Sequence, residues 1–152
     1  MADHSLIIHA APAAGYDGGV SREDAYRELE GIYADLEREL AVLRPLCQRS
    51  SRCCRFKEYG HQLWTTRLEL DYLVEREGPP AARAEGTCPY LKEGLCSVRD
   101  HRMLGCRIFF CDPAYAGAMA PLYERYHLRI KELHVRHAIP YQYSELLSAL
   151  FP

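Results

Sequence analysis

From Ser21 onward the apolar positions fall on the period of an α-helix. In SREDAYRELEGIYADLERELAVLRPL, Leu29, Tyr33, Leu36, Leu40 and Leu43 recur at alternating spacings of four and three. Ser21 and Asp24 form a capping-box variant, the first-turn acids suit the helix dipole, and Pro45 ends the run, so one long amphipathic helix is expected over 21–44. A second capping box, Thr66 with Glu69, opens TRLELDYLVEREG, which Gly78, Pro79 and Pro80 close, giving a helix over 66–77. A third stripe, Leu122, Tyr126, Ile130 and Leu133, predicts a helix over 121–137, and a short helix from about Ser144 closes the chain.

Between these helices the periodicity breaks down. RFKEYGHQLWTT reads as a β-hairpin, with Arg55 to Glu58 and Gln62 to Thr65 flanking a turn at Tyr59, Gly60 and His61. Pro79 to Thr87 is expected to be a loop. The glycines and prolines of Cys88 to Cys111 leave room for short strands only, at Cys96 to Arg99 and Arg107 to Phe110. Residues 1–20 show little periodicity and read as a flexible N-terminal arm with one short strand at Leu6 to His9. The expected fold is therefore α+β: a small single domain over 21–152, with helices packed around an irregular cysteine-rich centre and a short β-hairpin.

The chain has 152 residues, 48% hydrophobic and 26% charged, which suits a globular protein with a real core. No apolar run approaches the roughly 20 residues that span a bilayer, and MADHSLIIHAAPAAG lacks the basic start and long apolar region of a secretory signal. The expected location is the cytoplasm, without a membrane partner. There seven cysteines, an odd number, point to metal or catalysis and away from a disulfide framework.

Charge is unevenly spread: residues 1–43 hold 3 basic and 9 acidic residues, whereas residues 44–111 hold 12 basic and 8 acidic. Only two of those twelve are lysines, so a phosphate-binding stripe for nucleic acid is disfavoured. Arg49, Arg52, Arg55, Arg99, Arg102 and Arg107 instead stand within a few residues of a cysteine, where permanent cations offset clustered thiolates and lower their pKa values.

The cysteines run C-x5-C-C, then after 33 residues C-x7-C-x9-C-x4-C. Zinc ribbons pair two short C-x2-4-C knuckles, and only Cys106 and Cys111 come near that spacing. In an extended segment the adjacent Cys53 and Cys54 point to opposite faces, which suits two ions or the edges of a cluster. Thiolate ligands with arginine partners favour soft metals, an iron-sulfur cluster or a multinuclear zinc site, and exclude calcium and magnesium.

Cys47, Cys53 and Cys54, followed by CPYL, CSV and GCRIFFC with Arg102, resemble the YkgJ-type cysteine-cluster family, a zinc- or iron-chelating domain. Its first motif is C-x2-C-x2-C-C, and its second half ends in R-P-x-x-C-R-x-F-x-C. Two positions depart from it: Ser50 stands at the second cysteine, and Met103 at the proline after Arg102. The resemblance spans about Cys47 to Cys111 and implies a metal held by Cys47, Cys53, Cys54, Cys88, Cys96, Cys106 and Cys111. It leaves open zinc or iron, and related motifs occur in flagellin lysine methylases that look like iron-sulfur enzymes.

Where Ser50 departs, the resembled cluster has to find a substitute ligand or hold fewer metals. Glu124 and His127 make an i, i+3 Glu-x-x-His pair, His134 shares their helix flank, and Glu69 is a carboxylate that competes between metal and its capping box. His101, five residues from both Cys96 and Cys106, is a better spare ligand than His61. Tyr90, Trp64, Phe109, Phe110, Tyr141 and Tyr143 are expected to pack around the cluster. Two functions remain in view: a redox or protein- or peptide-modifying enzyme, iron-sulfur oxidoreductase-like, with a protein or peptide partner, or a non-catalytic zinc-binding structural, interaction or metal-handling module.

Overall fold

The computed structural model describes residues 21–81 and 85–152. The expected arm and its strand at 6–9 lie outside them. The described chain is α+β, with helices joined by two short antiparallel strand pairs.

Helix α1 spans Arg22–Leu43 and α3 spans Arg67–Glu77, and both begin with the capping boxes read from sequence, Ser21 with Asp24 and Thr66 with Glu69. In α1, Ala25, Tyr26, Leu29, Ile32, Tyr33, Leu36 and Leu40 are buried, whereas Leu43, at the end of the stripe, is exposed. The long C-terminal helix α5 spans Ala116–Arg136 and packs on α1 through Leu122, Tyr126, Ile130 and Leu133. Fully burying each such leucine or isoleucine contributes roughly 1.5–3 kcal/mol.

Helix α5 starts earlier than Pro121, which sits inside it. A proline interrupts only one backbone hydrogen bond this close to the start, and Ala118 and Met119 in the added turn pack against the core.

The expected hairpin over 55–65 does not form. Phe56–Tyr59 makes one helical turn, α2, closed by Gly60 at φ 64°, a left-handed conformation that glycine adopts without strain. Strand β1, Trp64–Thr66, pairs instead with β4, Tyr143–Glu145, in the register Thr65 opposite Ser144. β4 then leads directly into α6, Leu146–Leu150, where the Glu145 carboxylate accepts from the Leu147 and Ser148 N–H groups.

The cysteine-rich segment carries its own tight hairpin, β2 Leu91–Lys92 with β3 Leu95–Cys96. Both turn residues, Glu93 and Gly94, have positive φ, as a two-residue hairpin turn demands. The strand expected over 96–99 is thus limited to its first residue. That expected over 107–110 is replaced by a helical turn, α4 at Leu104–Ile108, because Leu104, Arg107 and Ile108 are buried together on one face. Two apolar clusters result: one between α1 and α5, and a second around Phe56, Leu70, Leu73, Met103 and Leu146 that includes Cys54 and Cys88. Among the described residues no helix is long and apolar enough to cross a membrane.

Candidate functional site

All seven cysteines line one cavity of about 210 Å³. Four segments supply them: the loop before the 3-10 turn Arg52–Cys54, that turn itself, the β2–β3 hairpin with its approach, and α4 with its exit. Backbone bonds hold these segments in place. The Cys88 N–H donates to the Cys54 carbonyl at 2.7 Å, and the Ser51 hydroxyl donates to the Gly94 carbonyl at 2.7 Å.

Cys54 is the hub. Its Sγ lies 3.9 Å from that of Cys53, and Cys88 and Cys96 stand near enough to shift its proton affinity. The expectation that Cys53 and Cys54 face opposite ways fails because they sit in a 3-10 turn, where successive side chains are rotated by about 120° and both reach the cavity.

These contacts divide the thiols by proton affinity. Hydrogen bonds from Cys54 pull Cys96 down to about 6 and Cys53 down to about 7, with Arg102 adding to both shifts. Cys88 is lowered by the Cys54 thiol and by the Tyr90 N–H. Cys54 is driven far up by the same three contacts and keeps its proton, and burial together with Cys88 and Cys53 raises Cys106.

Cys47 and Cys111 stand at the rim. Cys47 is exposed, with an Arg99 guanidinium nitrogen 3.9 Å from its sulfur. The Ser50 hydroxyl lies 3.5 Å from the Cys111 sulfur, so the position where the resembled motif has a cysteine does arrive at the cavity. Arg49 and Ser51 hold this loop in left-handed backbone conformations, each costing on the order of 1 kcal/mol. Met103 adopts φ −71°, a value proline also takes, so the site's backbone does not depend on that substitution.

Of the six arginines near cysteines in sequence, Arg49, Arg52, Arg99 and Arg102 line the cavity. Arg52 lies 4.6 Å above the Tyr59 ring, and the buried Nε of Arg102 has no hydrogen-bond partner. Among the described residues none of the four forms an ion pair with a carboxylate, and no aspartate or glutamate lines the cavity. Every other described arginine except Arg44 is paired with a carboxylate. Arg55 binds Glu58, and Arg107 turns away toward α1.

The other candidate ligands are placed elsewhere. Glu69 is 2% exposed and fully engaged: it accepts from the Tyr33 hydroxyl at 3.0 Å, from the Thr66 N–H and hydroxyl, and from the Leu104 N–H at 2.8 Å. His127 pairs with the Tyr141 hydroxyl, His134 with the Ile139 carbonyl, and Glu124 is exposed on the same helix; none of them lines the cavity. His101 sits 2.6 Å from Glu77, and His61 stacks on Phe109. Tyr90, Phe109 and Phe110 do wall the cavity, but Trp64 and Tyr143 stack on each other beside a second cavity of about 260 Å³ that reaches Cys53 and Cys106 from another side.

Two thiolates bound 2.3 Å from a tetrahedral zinc ion lie roughly 3.8 Å apart, close to the spacing between Cys53 and Cys54. The contacts nevertheless share one sulfur, and among the described residues no three histidine, cysteine, aspartate or glutamate side chains are grouped to hold an ion as they stand. Thiolates suit a soft metal in chemistry, but these side chains are not grouped to hold one as they stand. Binding would have to exchange the Cys54 proton for the metal, as thiolate coordination requires. Comparisons with known protein families, with curated proteins and with solved structures returned no match.

Proposed function

We propose that the chain is a metal-binding protein whose clustered cysteines coordinate an iron-sulfur cluster or a multinuclear zinc site. The observation that carries this reading is the lining of one cavity by seven thiols and by four arginines that have no carboxylate partner among the described residues. Sequestered neutral thiols do not account for four uncompensated cations. A thiolate-bound metal centre carries net negative charge and offsets part of theirs.

Cys53, Cys54, Cys88, Cys96 and Cys106 would hold the inner part of the site, and Cys47 and Cys111 its rim. Bound there, the metal would supply electron transfer as iron-sulfur or Lewis acidity as zinc, consistent with a redox or protein-modifying enzyme. The exposed Cys47 and the Ser50 hydroxyl make the rim the place where coordination is least saturated. The reducing cytoplasm is the compartment that keeps such thiols available. The resemblance to YkgJ-type proteins belongs to the same proposal.

Thiol reactivity measured under nitrogen tests it. With metal bound, the inner thiols react slowly with a thiol reagent, and a chelator exposes them while making residues 47–111 sensitive to protease. Seven thiols that react at the same rate with and without chelator, in an equally protease-resistant chain, would sink the proposal.

A further inference from the structure

Arg49, Arg52 and Arg99 are exposed around the mouth of the thiol cavity, and Arg102 lies deeper, with its Nε unpartnered. Their charge exceeds what the centre can neutralise. Four thiolates on one zinc ion carry roughly −2, and seven thiolates on two or three ions roughly −3 or −1. In each of these states the four guanidinium groups keep a positive excess, and among the described residues no carboxylate lines the cavity to remove it.

The neighbouring groups add hydrogen-bonding capacity to that charge. Ser50, Ser51 and Gln48 share the lining, and the left-handed backbone at Arg49 and Ser51 fixes the loop that carries them. Guanidinium forks match the paired oxygens of carboxylates and phosphates, and they do so best where no protein carboxylate competes. We infer that the arginine-lined mouth of the cavity binds a small oxyanion-bearing ligand, a carboxylate or a phosphate, beside the thiol centre. The inference extends the proposed function by naming what the site accepts, and it does not require the metal to be present.

Titration calorimetry on the chain as purified under nitrogen tests this, with malonate and phosphate as probes and sodium chloride at matched ionic strength as reference. Saturable binding of either probe is expected, and the tighter of the two identifies the oxyanion class. The double variant R49Q/R99Q, altered only at exposed side chains, should bind at least tenfold more weakly. R44Q removes the one unpaired described arginine outside the cavity and should bind as the wild type does. Equal heats for both probes and chloride, or equal affinity in R49Q/R99Q and wild type, would overturn the inference. Metal assayed in the same samples separates the two proposals: a metal-free chain that binds malonate or phosphate through these arginines contradicts the metal reading alone. A metal-loaded chain that binds neither contradicts this one alone.

Discussion

The Arg107 guanidinium carbon lies 4.0 Å from the centre of the Tyr33 ring, joining the cysteine-rich segment to the longest N-terminal helix. The same side chain donates to the Asp100 carbonyl at 2.6 Å, to the Arg102 carbonyl at 2.7 Å and to Glu37 at 3.1 Å. It thus ties down the backbone that carries Arg102 and Cys106 into the cavity. Arg107→Ala should cost roughly 2–3 kcal/mol, because it leaves two carbonyls without their charged donor. Arg107→Lys should restore little of that, since an ammonium cannot reach three acceptors as a planar fork does. Urea unfolding of the two variants checks both statements.

Glu69 sits behind this joint, with its two carboxylate oxygens accepting from Tyr33, Thr66 and the first N–H of α4. Glu69→Gln removes one acceptor and turns an amide toward donors. A loss of roughly 1–3 kcal/mol is expected, with the metal content of the purified protein unchanged. Metal loss in a variant that remains folded by circular dichroism would make Glu69 a ligand instead.

Much of this joint was legible in the sequence, because helices are local. The Ser21 and Thr66 capping boxes and the apolar stripes of α1 and α5 recur within a few residues, so they show without a partner. The β1–β4 pairing was not legible: Trp64 and Glu145 meet across most of the chain, and a three-residue strand carries little periodicity of its own. The cavity was legible as a list of cysteines and arginines. Its order was not, since the central place of Cys54 depends on a 3-10 turn, and the departure of Arg107 toward Glu37 depends on α4 replacing an expected strand.

His127 and His134 are held below the usual histidine pKa by burial. The unfolded chain, with histidines near about 6.5, therefore takes up protons first as the pH falls. The stabilisation is complete above that value and is lost as the pH drops from there toward the depressed folded values. Urea midpoints at pH 7.5 and 5.5 should show a loss of stability on acidification that is smaller in the double variant H127Q/H134Q. An identical loss in both proteins would show that these histidines do not set the acid limb.

The inner and outer thiols should respond differently to replacement. Cys54→Ser removes the buried sulfur beside Cys53 and should lower bound metal per chain to less than half, whereas Cys47→Ser, at the exposed rim, should retain most of it. Metal analysis of the two variants purified side by side under nitrogen checks this ordering, and equal losses would contradict it.

The central claim is most directly tested by the mass of the intact native chain, purified without oxygen, recorded before and after acid release of metal. The account predicts a mass excess equal to an integral metal load, as zinc ions in a colourless protein or as iron with equimolar acid-labile sulfide in a brown one. A native mass equal to that of the bare 152-residue chain, with all seven thiols free, would contradict it.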